Sequence, residues 1–308
     1  MIADPTLSVL SDRLFMATVG VYVLALIFHS TQFALARGRV AVPVGAPTDP
    51  STDVPEPPSR TARFGRMAVS LVVLGAVLHL GSLAARGFAT ERWPLGNMYE
   101  FSSAICLAAV VAWLVLLRRA ARRPAEDAAR LVAAGPFVLL PVVVLMFLAG
   151  TVLYAQAAPV QPALQSYWLV VHVTTICLSS GMLLVAGVAS LLYLVRRTGR
   201  AAWLPSADVL DRMAYRVTIV AFPVYTFAVM AGAIWAEAAW GRFWGWDPKE
   251  TVAFVAWVVY AAYLHARATA GWRTGPAAWI NVAGFLVITF NLFFINMVVA
   301  GLHSYAGI

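Results

Sequence analysis

Charge is scarce in this chain. Of its 308 residues 12% are charged and 61% hydrophobic, with a mean hydropathy of +0.79. That leaves too little polar surface to cover a soluble globule, and the composition reads as a polytopic membrane protein. Lysine is almost absent: the net charge of +8 comes from 21 arginines and one lysine, Lys249. The arginines lie in the gaps between apolar segments, where they set topology, so the basic balance is not read as nucleic-acid binding. Cysteine is nearly missing too. Cys106 and Cys177 lie in separate apolar runs, which excludes a disulfide framework and a CxxC redox motif. A basic n-region and an A-x-A site are lacking at the N-terminus, so no cleavable signal peptide is expected.

What the chain has is long apolar runs. They fall near 14–36, 67–86, 97–117, 134–154, 167–195, 217–235, 250–266 and 278–302, each about 20 residues, the length that spans a bilayer. The expected fold is all-α, with eight transmembrane helices in a single integral membrane domain over 1–308. Residues 41–60 hold six prolines with several acidic residues and read as a flexible cytoplasmic loop with no core of its own. Counting Arg and Lys by alternate loops gives seventeen on one side and five on the other. The positive-inside rule then puts both termini outside a plasma membrane, together with the loop after the sixth run.

That loop carries the densest signal. From Trp235 to Glu250 it holds Trp235, Trp240, Trp244 and Trp246, four of the chain's eleven tryptophans, interleaved with Gly241 and Gly245. Tryptophans collect at membrane interfaces as an aromatic belt, which accounts for one or two of them. Rings at this density also suit a surface packed against a large planar apolar ligand. The loop closes on Asp247-Pro248-Lys249-Glu250, which places Asp at an N-cap, Pro at N1 and Glu at N3 of a helix. Asp247 is read either as a cap alone or as part of the site.

All five histidines lie in or at the end of apolar runs. Ionisable groups there are costly and mark function, although a single histidine also serves as an interhelical hydrogen bond. His172, early in the fifth run, and His303, just past the eighth, reach the same surface as the tryptophan loop. Two neutral imidazoles flanking an aromatic floor form an arrangement that would coordinate a haem iron from both faces. His79 and His265 lie deeper and differ in height by about 10 Å at 1.5 Å of rise per residue. The sequence does not place them on one iron. His29, beside Ser30, Thr31 and Gln32, reads as an interfacial hydrogen-bonding residue.

The run WGRFWGWDPKE resembles the WWD domain of the haem-handling proteins of cytochrome c biogenesis, specifically the CcsA/ResC type of system II. HLGSLAARGFATERWPLGNMYE, from His79 to Glu100, is similar to that family's transmembrane histidine and NxYE segment. YLHARATAGW around His265 resembles its second transmembrane histidine, and WLVVHV and GLHSYA, around His172 and His303, resemble its two external ones. The resemblance implies that haem b enters through His79 and His265 and passes to an external site. There His172 and His303 would be axial ligands and Trp240, Trp244, Trp246, Asp247 and their neighbours Trp235, Gly241 and Pro248 would shape the pocket. It further implies an apocytochrome c CxxCH substrate, a ResB-type membrane partner and a thiol-reducing protein upstream, since this chain brings no CxxC. Arg242 and Lys249 are the nearest basic groups to meet the propionates. Three activities stay open: a haem-transporting cytochrome c synthase, a haem chaperone or exporter, and a diheme quinol-oxidising cytochrome b.

Overall fold

The computed structural model describes residues 3–37, 59–122, 128, 131–159, 165–199, 201 and 203–303. Of the proline-rich segment 41–60, all but its last two positions lie outside the described residues. Among those described there are eight α-helices and no strand: α1 (Pro5–Arg37), α2 (Arg60–Thr90), α3 (Met98–Ala120), α4 (Gly135–Thr151), α5 (Tyr167–Arg197), α6 (Ala207–Trp240), α7 (Pro248–Ala268) and α8 (Gly275–Phe290). Seven are long and apolar enough to cross a membrane. The eighth, α4, has 17 residues, about 26 Å at 1.5 Å per residue, against a hydrocarbon thickness of about 30 Å.

Each apolar run coincides with one helix, and most helices are longer than their runs, although α4 covers 17 residues of the 21 in 134–154. Hydropathy registers only the apolar part, whereas helix propagates through any residue of adequate propensity until a cap or breaker intervenes. Thus α6 starts ten residues before its run and carries Arg212 and Arg216 in its first turns. The eighth run departs in the other direction. There α8 passes into a π-turn at Asn291–Ile295, and the chain leaves helical geometry soon after Asn296.

At the centre stands α5, with 72% of its apolar window buried against 22% for α7. It packs on α3, α6 and α8, while α1 pairs with α2 and α4 lies against α1 and α3. Small residues let these backbones meet, the usual device where lipid offers no hydrophobic drive for association. A Cβ at Gly181 would stand 2.6 Å from the backbone of α3 at Ala109, and one at Gly187 would stand 2.4 Å from the Phe285 ring of α8. Two ion-paired clusters fasten opposite ends of the bundle. At one end Arg267 of α7 grips Asp211 of α6 through both guanidinium nitrogens at 2.6 and 2.9 Å. At the other, buried Glu100 of α3 accepts from Arg86 Nε at 2.8 Å, from two nitrogens of Arg92 at 2.8 and 2.9 Å, and from the Gly96 N–H at 2.7 Å. A buried carboxylate persists only with such a full set of donors. This one fixes the segment 91–97 between α2 and α3.

Candidate functional site

The tryptophan stretch is two helix ends and a short loop between them. Helix α6 runs through Trp240 and stops at Gly241, whose left-handed φ of +70° and N–H bond to the Glu237 carbonyl at 2.8 Å form a C-cap. Trp235 and Trp240 therefore stand on the last two turns of α6, five residues apart, and not in a loop reaching from 235 to 250. At the far side Asp247 caps α7 with Pro248 at N1, and Glu250 returns to the Asp247 N–H, the capping box expected from the motif. Glu250 Oε2 accepts from the Gly245 N–H at 2.9 Å and the Asp247 N–H at 3.1 Å, and its other oxygen faces Arg242 at 3.4 Å. The connection is held by one carboxylate.

Trp246 occupies the left-handed region with φ +59°, costly for a bulky side chain and held only where surroundings over-determine it. That backbone turns its ring outward, where it is 66% exposed and meets Trp244 edge-on at 5.8 Å and Phe254 at 6.3 Å. Trp246 does not line the cavity described next. Neither do Gly241, Pro248 or Asp247, which set the helix ends beside it.

Asp247 has a second task beyond capping. Its Oδ1 accepts the Leu302 N–H at 2.9 Å, and its Oδ2 accepts from His303 Nδ1 at 2.8 Å. Burial works to raise the carboxyl's pKa, yet the Leu302 and His303 hydrogen bonds outweigh it and hold the group below the ordinary aspartate value. Burial, with the charge of Lys249, keeps His303 below the usual imidazole value in spite of the carboxylate. The pair is thus Asp⁻ with neutral His. With its Nδ1–H given to the carboxylate, the imidazole carries its lone pair on Nε2.

His172, on the second turn of α5, is set the same way. Its Nδ1 lies 2.8 Å from the carbonyl of Ala228 on α6, an acceptor only, so Nδ1 holds the proton and Nε2 the lone pair. Gly232 permits this: a Cβ there would stand 2.7 Å from the imidazole. Trp235 contacts both histidines. Its ring stacks within 9° of parallel to His172 at 6.2 Å and meets His303 at 6.0 Å, while Trp240 meets His303 edge-on at 5.0 Å.

These groups line one cavity of about 1270 Å³, its mouth included, at the end of α3, α5 and α6. His172, His303, Trp235, Trp240 and Trp244 all face it, as do Phe101, Tyr225, Phe243, Lys249, Asn291 and Asn296. Sites for large flat ligands have this character, mostly aromatic and aliphatic with a few placed polar groups. The segment 95–97, fixed by Glu100, closes one wall. Of the two basic candidates, Arg242 faces Glu250 at 3.4 Å. Lys249 instead reaches Asn296 Oδ1 and lies 5.8 Å from the Phe101 ring, and among the described residues no carboxylate comes within 4.0 Å of its ammonium. Lys249 is the basic residue of the two that lines the cavity. The π-turn that brings Asn291 and Asn296 here was not anticipated, although two asparagines inside an apolar run were a legible sign.

The deeper histidines do not line this cavity. His79 is fully buried on α2, its Nε2 2.7 Å from Ser103 Oγ and its Nδ1 3.4 Å from Tyr22 Oη. His265 is exposed near the end of α7, a helix whose main packing partners are α8 and α6. His29 is buried against Gly135 at the start of α4.

A family described as "Cytochrome C assembly protein" matches residues 95–303, a stretch that begins at the wall residue Leu95 and ends on His303. The cytochrome c biogenesis protein CcsA of Synechococcus sp. (strain RCC307) is 34% identical over 284 residues, which cover 81% of this chain and 87% of that protein. CcsA of Chlamydomonas reinhardtii is 42% identical over 154 residues, 49% of this chain and 44% of that one. Among solved structures, the cytochrome c haem lyase CcmF superposes with a TM-score of 0.62 over 91% of this chain at 18% identity, a likeness of fold. This chain spans 46% of that one's length. With eight helices, the paired-histidine cavity and a match over residues 95–303, this multi-pass membrane protein belongs to the cytochrome c assembly protein family.

Proposed function

We propose that this protein moves haem b across a plasma membrane and presents it at an extracytoplasmic site for covalent attachment to apocytochrome c. One observation carries the reading: His172 and His303 open into a single aromatic cavity, each with Nδ1 bonded to a protein acceptor and Nε2 bearing the lone pair. Two neutral imidazoles are the donor set of a six-coordinate haem iron, and a lining of this kind, mostly aromatic with a few polar groups, suits a flat ring. Lys249 suits a propionate.

In this reading His172 and His303 are the axial ligands, Trp235, Trp240 and Trp244 confine the ring, and Asp247 orients His303. Haem supplies two vinyl groups and the iron. The apocytochrome CxxCH segment supplies two thiols, and each S–H adds across one vinyl double bond, a step neutral in redox. What the chain contributes is position, holding the ring in one orientation while the segment approaches. Its own cysteines take no part, since Cys106 and Cys177 are both buried, their thiols turned to the carbonyls of Val142 and Phe101. Reduced substrate thiols come from another protein, and a ResB-type membrane partner completes the synthase. His79 and His265 would receive the haem from within the membrane. For His79 this entails displacing Ser103 and Tyr22 from its ring.

The test is co-expression of the chain and its partner with an apocytochrome c in a host stripped of its own maturation system, followed by a haem stain of the denatured substrate. Covalent haem is expected, and its loss with His172→Ala and with His303→Ala. Haem that co-purifies with the protein and never becomes covalent on the substrate would favour the chaperone reading.

A further inference from the structure

The helices that frame the candidate site at one end frame a second cavity at the other, of about 1390 Å³ with its mouth included. On α3 the wall is Ala108, Val111, Ala112, Val115 and Leu116, ending in Arg119. On α6 it is Val209, Met213, Val217 and Val220, joined by Arg212 and Arg216. Both sets repeat at i, i+3, i+4 and i+7, so each is one continuous stripe on its helix. Leu178 and Met182 of α5 close the back. From Arg216 to Trp235 along α6 is about 28 Å at 1.5 Å per residue, close to the hydrocarbon thickness of a bilayer.

The groove is open sideways. Met213 and Val217 are buried in its floor, whereas Val111, Val115 and Val220 on its rim are 43%, 43% and 51% exposed. Its polar end is of one sign, with Arg119, Arg212 and Arg216 all on the surface. Among the described residues no carboxylate lies within 4.0 Å of Arg119 or Arg212. The neighbouring acid Asp211 is engaged by Arg267.

We propose that this groove binds an anionic phospholipid, with its phosphate at Arg119, Arg212 and Arg216 and an acyl chain along the α3–α6 stripes. Basic pockets between transmembrane helices recognise anionic headgroups in this manner, and the arginine excess puts this end in the cytoplasmic leaflet. Lateral opening to the bilayer favours a lipid chain over a soluble anion, which would use the arginines and leave the apolar stripes without a role. It also favours a lipid over a second haem: the wall offers no imidazole, and its thioethers belong to Met182, half-buried, and Met213 in the floor. The proposal rests on the membrane-spanning fold and is independent of what binds at His172 and His303.

The full chain, purified in detergent, would be titrated with phosphatidylglycerol and with phosphatidylcholine, and retained lipid counted by native mass spectrometry. Phosphatidylglycerol is expected to be retained and phosphatidylcholine not. At about fivefold per arginine, the variant Arg119→Gln/Arg212→Gln/Arg216→Gln should bind roughly a hundredfold more weakly. Since all three side chains are exposed, the variant should keep its helical circular dichroism and elution volume. Ala112→Trp fills the groove and leaves the arginines, and it too should lose retention. Equal retention of both lipids, unchanged binding in the triple variant, or full binding in Ala112→Trp would each overturn the proposal. So would competition by inorganic phosphate as effective as by lipid, or hemin binding that falls with the arginine variant while lipid retention does not.

Discussion

Asp247 does two things with one carboxylate, and they separate by substitution. As an N-cap it receives the Lys249 N–H at 3.4 Å, a long contact, whereas its bond to His303 is 2.8 Å. Asp247→Asn keeps the size and a capping oxygen but lacks the charge that orients the imidazole. In the proposed role the carboxylate behind a ligating histidine is worth about 10- to 100-fold in affinity, so haem titration of Asp247→Asn should show a loss of that order, with a lowered thermal midpoint because the amide NH2 meets either the Leu302 N–H or the His303 Nδ1–H. Gly232 tests the other imidazole. Gly232→Val places atoms where the His172 ring lies, and it should remove the same spectral feature as His172→Ala while His303 stays in place. The two deep histidines call for opposite outcomes in stability. His79→Leu leaves the Ser103 and Tyr22 hydroxyls without their partner in the core, a cost of about 1–3 kcal/mol. His265→Leu, on an exposed surface, should stay within about 0.5 kcal/mol. Thermal unfolding in detergent distinguishes the two, and a large cost at His265 would contradict the packing described here.

Between elements, the position of the cavity depends on a segment far in sequence from the tryptophan stretch. Glu100 holds the 91–97 segment through Arg86, Arg92 and Gly96, and that segment supplies Leu95, Gly96 and Asn97 to the cavity wall. Glu100→Gln leaves the partly buried Arg92 without its counter-charge and the buried Arg86 with only Asp12 at 3.6 Å, and breaking a buried pair costs about 3–5 kcal/mol. Loss of folded protein is therefore expected on expression, ahead of any change in haem binding, read by fluorescence-detected size exclusion. The sequence displayed much of this. Apolar runs located the eight helices, and the Asp-Pro-Lys-Glu signature located the start of α7, because both are local properties. His172 and His303 were legible too, through their depth relative to the tryptophans. What was not legible depends on contacts across long separations: Ala228 as the acceptor for His172, the outward turn of Trp246, the π-turn at Asn291–Ile295 and the engagement of Glu100 by Arg86. Arg86 and Glu100 stood inside apolar runs, and charges so placed were a sign that a buried network joins them.

For the molecule in its membrane, the arginine distribution and the two cavities define opposite ends. A single cysteine introduced at Phe243, 60% exposed in the loop, should react with a membrane-impermeant maleimide on intact cells. One introduced at Arg212 should react only after permeabilisation. Both natural cysteines are buried, so background labelling should be low, and reversed accessibility would refute the assigned orientation. One feature of the candidate site bears on how such a protein works repeatedly. Each imidazole is anchored by the protein, His172 by a backbone carbonyl and His303 by a carboxylate, with the Trp235 ring in contact with both. In the role proposed above, both rings would be held by the protein rather than by haem, so the passage from one haem to the next would need no rearrangement of either imidazole.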